Sequence, residues 1–135
     1  MKSVIKKIRF LSLMIFCLSS CTSANEENST INEIGSWKLI AVLADPGDGS
    51  GVFQPVLSDK TIIFETNGTI SCTGNLCDLS IGSSLNSSGT YSSNNTTIQT
   101  TNCNQMQLTY ETEGNTLIIN YPFIETCKAK YSRIE

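Results

Sequence analysis

The sequence predicts an all-β fold, an antiparallel sandwich or barrel cross-linked by disulfides, and three observations predict it. Short β-branched and aromatic segments recur about every ten residues with turn-forming residues between them, as antiparallel all-β domains require. No segment of helical length carries an apolar period of three to four residues. Once Cys17 and Cys21 are assigned to an export leader, Cys72, Cys77, Cys103 and Cys127 remain, an even set suited to two bridges in an oxidising compartment.

The leader comes first. Lys2, Lys6, Lys7 and Arg9 precede an apolar run from Phe10 to Leu18, the layout of a secretory signal over residues 1–20. A transmembrane helix needs roughly 20 apolar residues. This run reaches about half that length before Ser19 and Ser20, so a permanent span is not expected. Leu18-Ser19-Ser20-Cys21 resembles a bacterial lipobox, which implies cleavage before Cys21 and lipid on its thiol. One acyl chain holds only marginally, at about 0.8 kcal/mol per buried methylene, whereas two or three hold durably. The expected partner is therefore the membrane, through lipid on Cys21. The expected address is the outer membrane, on its periplasmic face or at the cell surface. Thr22 stands where an aspartate marks inner-membrane retention, and Glu26-Glu27 resembles the acidic patch of surface-exposed Bacteroidetes lipoproteins. Thr22 to Asn32 is too polar to order itself, so residues 21–34 read as a flexible tether.

One domain, residues 35–135, follows. Trp37, Leu39, Ala41 and Leu43 alternate on one face with Lys38 opposite, a half-buried strand. Asp45-Pro46-Gly47-Asp48-Gly49-Ser50-Gly51 then breaks regular structure. Lys60 to Glu65 and Thr69 to Cys72 flank Asn67-Gly68, the dipeptide suited to a type I′ hairpin turn. Gly89 to Ser93 turns at Asn94-Asn95 into Thr96 to Thr101, and Gln107 to Glu111 turns at Gly114-Asn115 into Thr116 to Asn120. Ala129 to Ile134 is the last strand. Closure into a barrel removes exposed edges. The strands are short, and Thr69 to Asn104 is rich in Ser, Thr and Asn, so the interior should be small enough for side chains to fill.

Composition narrows the function. The leader carries four of the nine basic residues and no acidic ones, leaving five against twelve acidic residues and a net charge of −7. Phosphate backbones need clustered Lys and Arg, so nucleic acid is excluded as a partner. A domain this small buries under roughly 70% of its unfolded surface, so cross-links matter. Closing a loop such as that from Cys77 to Cys103 stabilises by about 3–4 kcal/mol on a chain-entropy argument. Four cysteines allow three pairings, among which spacing does not choose. Thiolates are the preferred ligands of a structural zinc. With no Cys-x-x-Cys and no histidine, no metal or other cofactor is expected.

Gly35-Ser36-Trp37 resembles the Gly-x-Trp of lipocalins, whose tryptophan plugs the closed barrel end, and Arg133 stands where lipocalins pack an arginine across that indole. Such a barrel-closing pair is worth about 0.5–2 kcal/mol. From Gly35 to Ile134 the chain is similar to lipocalin-like lipoproteins of Bacteroidetes. The similarity is carried by Ala44 to Gly51 with Phe53 and Pro55, and by Leu117-Ile118-Ile119-Asn120-Tyr121-Pro122 with Cys127 and Lys130-Tyr131. The resemblance implies a small lipocalin-like barrel. That family commonly has a cysteine where Phe123 stands, and Cys72 is extra here. The pairing expected beside it is Cys77 with Cys103 and Cys72 with Cys127.

Other candidate sites are weaker. The Asp45 to Gly51 loop presents oxygens from Asp45, Asp48 and Ser50, but lacks the alternation and distal glutamate of an EF-hand. Tyr91, Tyr110, Tyr121 and Phe123 could line an apolar pocket, although aromatics in strands usually serve packing. Without histidine the commonest base for an activated Ser or Cys is missing, and the carboxylates form no recognisable motif, so an enzyme is not expected. The expected role is a tethered module binding a small apolar or amphiphilic ligand. The alternative is a META-like structural or protein-interaction module of the envelope with a filled barrel.

Overall fold

The computed structural model describes residues 33–104 and 106–134. Their strands are β1 (Gly35–Ala44), β2 (Gln54–Pro55), β3 (Thr61–Phe64), β4 (Thr69–Thr73), β5 (Asn86–Ser92), β6 (Thr97–Thr100), β7 (Gln107–Glu113), β8 (Thr116–Tyr121) and β9 (Cys127–Ile134). From β3 onward each strand pairs antiparallel with the next, β1 pairs with β3, and β9 returns to β1, which closes an eight-stranded antiparallel barrel. The short β2 continues the β3 edge of β1, pairing at Ala41 and Val42. The architecture is consistent with a small lipocalin-like barrel.

Alternation builds the interior. Ile70 and Cys72 on β4, Leu108 and Tyr110 on β7, and Leu117, Ile119 and Tyr121 on β8 point inward while their neighbours are more exposed. Eight strands enclose a space that side chains just fill. The ends of the barrel differ. Gly35 lies opposite Phe64 and Ser36 opposite Ile134. Together with the short turns 65–68, 93–96 and 114–115 they make a turn end. The connections 45–60, 74–85, 101–104 and 122–126 gather at the opposite, loop end.

Two local expectations are corrected. In β1 the register against β9 shifts between Leu39 and Ala41, so Trp37 and Leu39 face inward, whereas beyond Ile40 the inward position passes to Val42, opposite Ala129. Ala41 and Leu43, opposite Lys130 and Lys128, lie on the outer face, because a bulge moves every later side chain to the other side. They are buried there nonetheless. The Lys130 ammonium lies 4.2 Å over the Phe53 ring, so the 45–60 connection folds back along this face. In the β3–β4 hairpin Asn67 keeps a negative φ and only Gly68 is positive, at 83°. The Gly68 amide donates to Glu65 O at 3.2 Å, closing an ordinary turn followed by a left-handed glycine rather than a type I′ turn. Asn67 contributes differently: its Oδ1 accepts from the Thr69 amide at 3.0 Å and from its hydroxyl at 2.6 Å.

The expected pair of bridges is also corrected. Cys77 is bonded to Cys103, whereas Cys72 and Cys127 are free thiols. Cys72 on β4 and Cys127 on β9 are separated around the wall by β3 and β1. A disulfide needs Cα atoms within about 7 Å, while three steps of about 4.8 Å around a closed wall carry strands past that reach.

Candidate functional site

The apolar interior gives way to polar groups at the loop end. Lys60 precedes β3 and shares the inward phase of Ile62 and Phe64, so its stem enters the barrel and is fully buried. Its Nζ donates to Asp78 O at 3.3 Å and Ser80 O at 3.0 Å. Burial pushes the Lys60 pKa below its ordinary value, opposed by Cys72 and the Asp78 carboxylate. Cys72 is the penultimate residue of β4. Burial pushes its thiol up, against the Lys60 charge and a hydrogen bond with Ser87, which keeps it protonated and unreactive.

Connection 74–85 closes this mouth from outside. Leu76 enters the core and is fully buried, and Leu79 packs against the core. Ser87 Oγ accepts from the Leu76 amide at 2.9 Å and donates to Gly74 O at 2.6 Å. Ser58 Oγ donates to Ile81 O at 2.6 Å. Within the connection Asp78 accepts from Asn75 Nδ2 at 2.8 Å and from the Ser80 amide at 2.8 Å. Burial would raise the Asp78 pKa, but hydrogen bonds from Ser80, the Lys60 charge and Asn75 outweigh it and hold it low. Gly74, at φ 137°, is forced: a Cβ there would lie 2.8 Å from both Gly82 O and Lys60 Cγ. The Cys77–Cys103 bridge ties this connection to the neighbouring 101–104.

Beneath it, Tyr121 and Tyr131 are buried, and their hydroxyls interact with each other without either completing a well-formed hydrogen bond. Burial first, and then neighbouring charge, raises both phenol pKa values. Ammonium, thiol and two phenols thus form a cluster of hydrogen-bond donors sealed beneath connection 74–85. Sequence reasoning missed Lys60 and Leu76. The two-residue period through Ile62 and Phe64 was the signal for Lys60, whereas Leu76 lies in a segment without period.

The predicted residues fall at both ends. At the turn end the Arg133 guanidinium carbon lies 4.2 Å over the Trp37 ring. Arg133 Nη1 donates to Ile34 O at 2.8 Å, and Trp37 Nε1 donates to Glu33 O at 2.8 Å, so the pair also fixes the chain entering the barrel. The four aromatic candidates do not share one pocket. Tyr91 and Tyr110 meet Phe64 edge-on at 4.9 and 5.3 Å near the turn end, while Tyr121 stacks with Phe123 at 5.7 Å at the loop end. In the Asp45 loop, Asp45 accepts from the amides of Gly47, Gly49 and Gly51 at 2.7, 3.0 and 2.7 Å, and Asp48 from the Ser50 amide at 2.9 Å. These bonds, led by Gly51 for Asp45 and by the Ser50 hydroxyl for Asp48, lower both carboxyl pKa values. The aspartates therefore serve the turn itself. Among the described residues no group of three His, Cys, Asp or Glu side chains is placed to hold a metal. Cys21 lies outside the described residues.

The outer surface of the loop end exposes several large apolar side chains among polar ones such as Asp48, Ser83 and Glu125. Leu57 and Ile124 are 98% and 101% exposed, and Val52, Ile81, Leu85 and Phe123 add to them from the same set of connections. A groove of about 600 Å³ runs between Ile40, Leu57 and Ile81, with Lys38 and Asp59 paired at 3.1 Å on its rim. No protein-family model, curated protein or solved structure matches this chain at a significant level.

Proposed function

We propose that this chain is an envelope lipoprotein, tethered to the outer membrane through lipid on Cys21, whose lipocalin-like barrel acts as an interaction module through the outer surface of its loop end. The filled interior carries this reading. A drug-sized ligand needs a concavity of roughly 300–1,000 Å³. An enclosed one would leave accessible area on its walls, and Trp37, Ile62, Leu108, Leu117, Ile119 and Tyr131 have none. Recognition is then left to the surface. The tether favours the same end. Glu33 adjoins the turn end, and the stretch between it and Cys21 spans at most about 40 Å when extended. The turn end thus stays near the membrane, and the loop end with Leu57 and Ile124 is presented away from it.

A photo-crosslinking residue placed at Leu57 or at Ile124 of the full-length lipoprotein in living cells should capture a discrete protein partner. The same residue at Asn115, on the turn end, should not, and Leu57→Glu should abolish capture at Ile124. Equal capture from both ends, or none from either, would remove the interaction reading. A small apolar or amphiphilic ligand is the second reading, favoured by the size of the groove between Ile40, Leu57 and Ile81. In that case native mass spectrometry of the detergent-extracted protein should show a bound mass that Ile81→Glu eliminates.

A further inference from the structure

Connection 74–85 is built unlike the wall it covers. It contains no strand, yet it contributes Leu76 to the barrel core and Leu79 to its edge. Its other ties are two hydrogen bonds with Lys60, two with Ser87, one with Ser58 and the covalent link Cys77–Cys103. Neighbouring residues point opposite ways: Leu76 is fully buried, while Cys77 and its partner Cys103 are only half-buried. A reagent can therefore reach the bridge when it cannot reach what lies below. Below lie Cys72, which is the interior residue of β4 nearest the mouth, and the Tyr121 and Tyr131 hydroxyls, which have only a poorly formed contact with each other. Buried hydroxyls with such incomplete hydrogen bonding disfavour the closed state and gain full partners from water once the mouth opens. A covalent latch offsets that bias.

We propose that connection 74–85 is a plug latched by Cys77–Cys103, and that two-electron reduction of this bridge by a dithiol donor releases the plug and uncovers the Cys72 thiol. A donor thiolate attacks one sulfur of the bridge and forms a mixed disulfide. The donor's second thiol resolves it. Cys77 and Cys103 leave as thiols with two electrons and two protons gained, and the donor becomes a disulfide. The inference does not depend on what binds the outer surface. It makes the loop end responsive to redox state, since the bridge also holds the connection that carries Ile81 and Leu85.

The test is alkylation of the full-length chain in detergent by N-ethylmaleimide, quantified at the Cys72 peptide by mass spectrometry. Three forms are compared: the oxidised protein, the same protein after mild dithiol reduction, and C77S/C103S. Both unlatched forms should react at Cys72 at least about tenfold faster than the oxidised protein, because opening now requires only local unfolding. Amide exchange should accelerate over 75–82 but not over β7 and β8, with the Trp37 emission unchanged. Cys72 reactivity within about twofold across all forms would overturn the latch. So would Cys72 exposure that appears only together with loss of buried Trp37 emission, since the bridge would then hold up the whole barrel. Reduction of the native protein keeps the test decisive if C77S/C103S does not fold.

Discussion

At the residue scale, Arg133 and Lys60 show two ways for a cation to live in a small barrel. Arg133 caps the closed end, with its guanidinium over Trp37 and its Nη1 on Ile34 O. Arg133→Ala loses both contacts and should lower stability by about 1–3 kcal/mol in urea titration. Arg133→Lys retains a cation over the indole but not the planar fork, and should fall between the two. Lys60 was legible only as a strand position. Its burial follows from a phase set by Ile62 and Phe64, and the acceptors that make it tolerable, Asp78 O and Ser80 O, lie eighteen and twenty residues away. No local pattern announces such partners.

At the element scale, hairpin positions were readable and turn geometry was not. Asn67-Gly68 marks the β3–β4 reversal, but the backbone puts only the glycine in the left-handed region. A Cβ at Gly68 would meet nothing closer than Tyr91 O at 3.9 Å, so the space is open and the conformation alone decides the effect. Gly68→Ala should therefore cost about 1–2 kcal/mol by urea titration, and Gly68→Asn distinctly less, because asparagine tolerates positive φ. The bulge at Ile40 has the same lesson in β1. The alternation through Leu43 is intact in the sequence, yet one extra residue against β9 puts its second half on the outer face. Both apolar phases are satisfied, one by the core and the other by the returning 45–60 connection.

At the scale of the whole molecule, a filled interior makes alkaline stability informative. Tyr110 is pushed up to about 12, first by burial and then by the Glu33 charge, and Tyr121 and Tyr131 shift in the same direction. A phenol with a raised pKa keeps its proton in the folded state after the unfolded chain has lost it. Its stabilisation is complete below pH 10 and falls as pH rises through the folded value. Lys60 works oppositely: its lowered pKa makes stability climb until pH 10.5, where the unfolded lysine also loses its proton. Above pH 10.5 the lysine contribution has ended and the phenols, with the raised Cys72 thiol acting in the same direction, remain, so the unfolding free energy should decline between pH 10.5 and about 12. Tyr110→Phe should flatten that decline. Urea midpoints across this range check it, and a rising midpoint would contradict the assignment.

The sequence by itself determined the all-β class and the near-regular succession of strands, because these rest on a two-residue period and on turn residues that act within a few positions. It also carries the whole argument for lipid on Cys21, which depends on the leader alone. Only the tertiary structure decided which cysteines bond, where the β1 faces exchange, and that Lys60 and Leu76 close the mouth. Each of these depends on which strands become neighbours when the sheet closes on itself. That neighbourhood joins residues from opposite halves of the domain, so no window along the chain contains it.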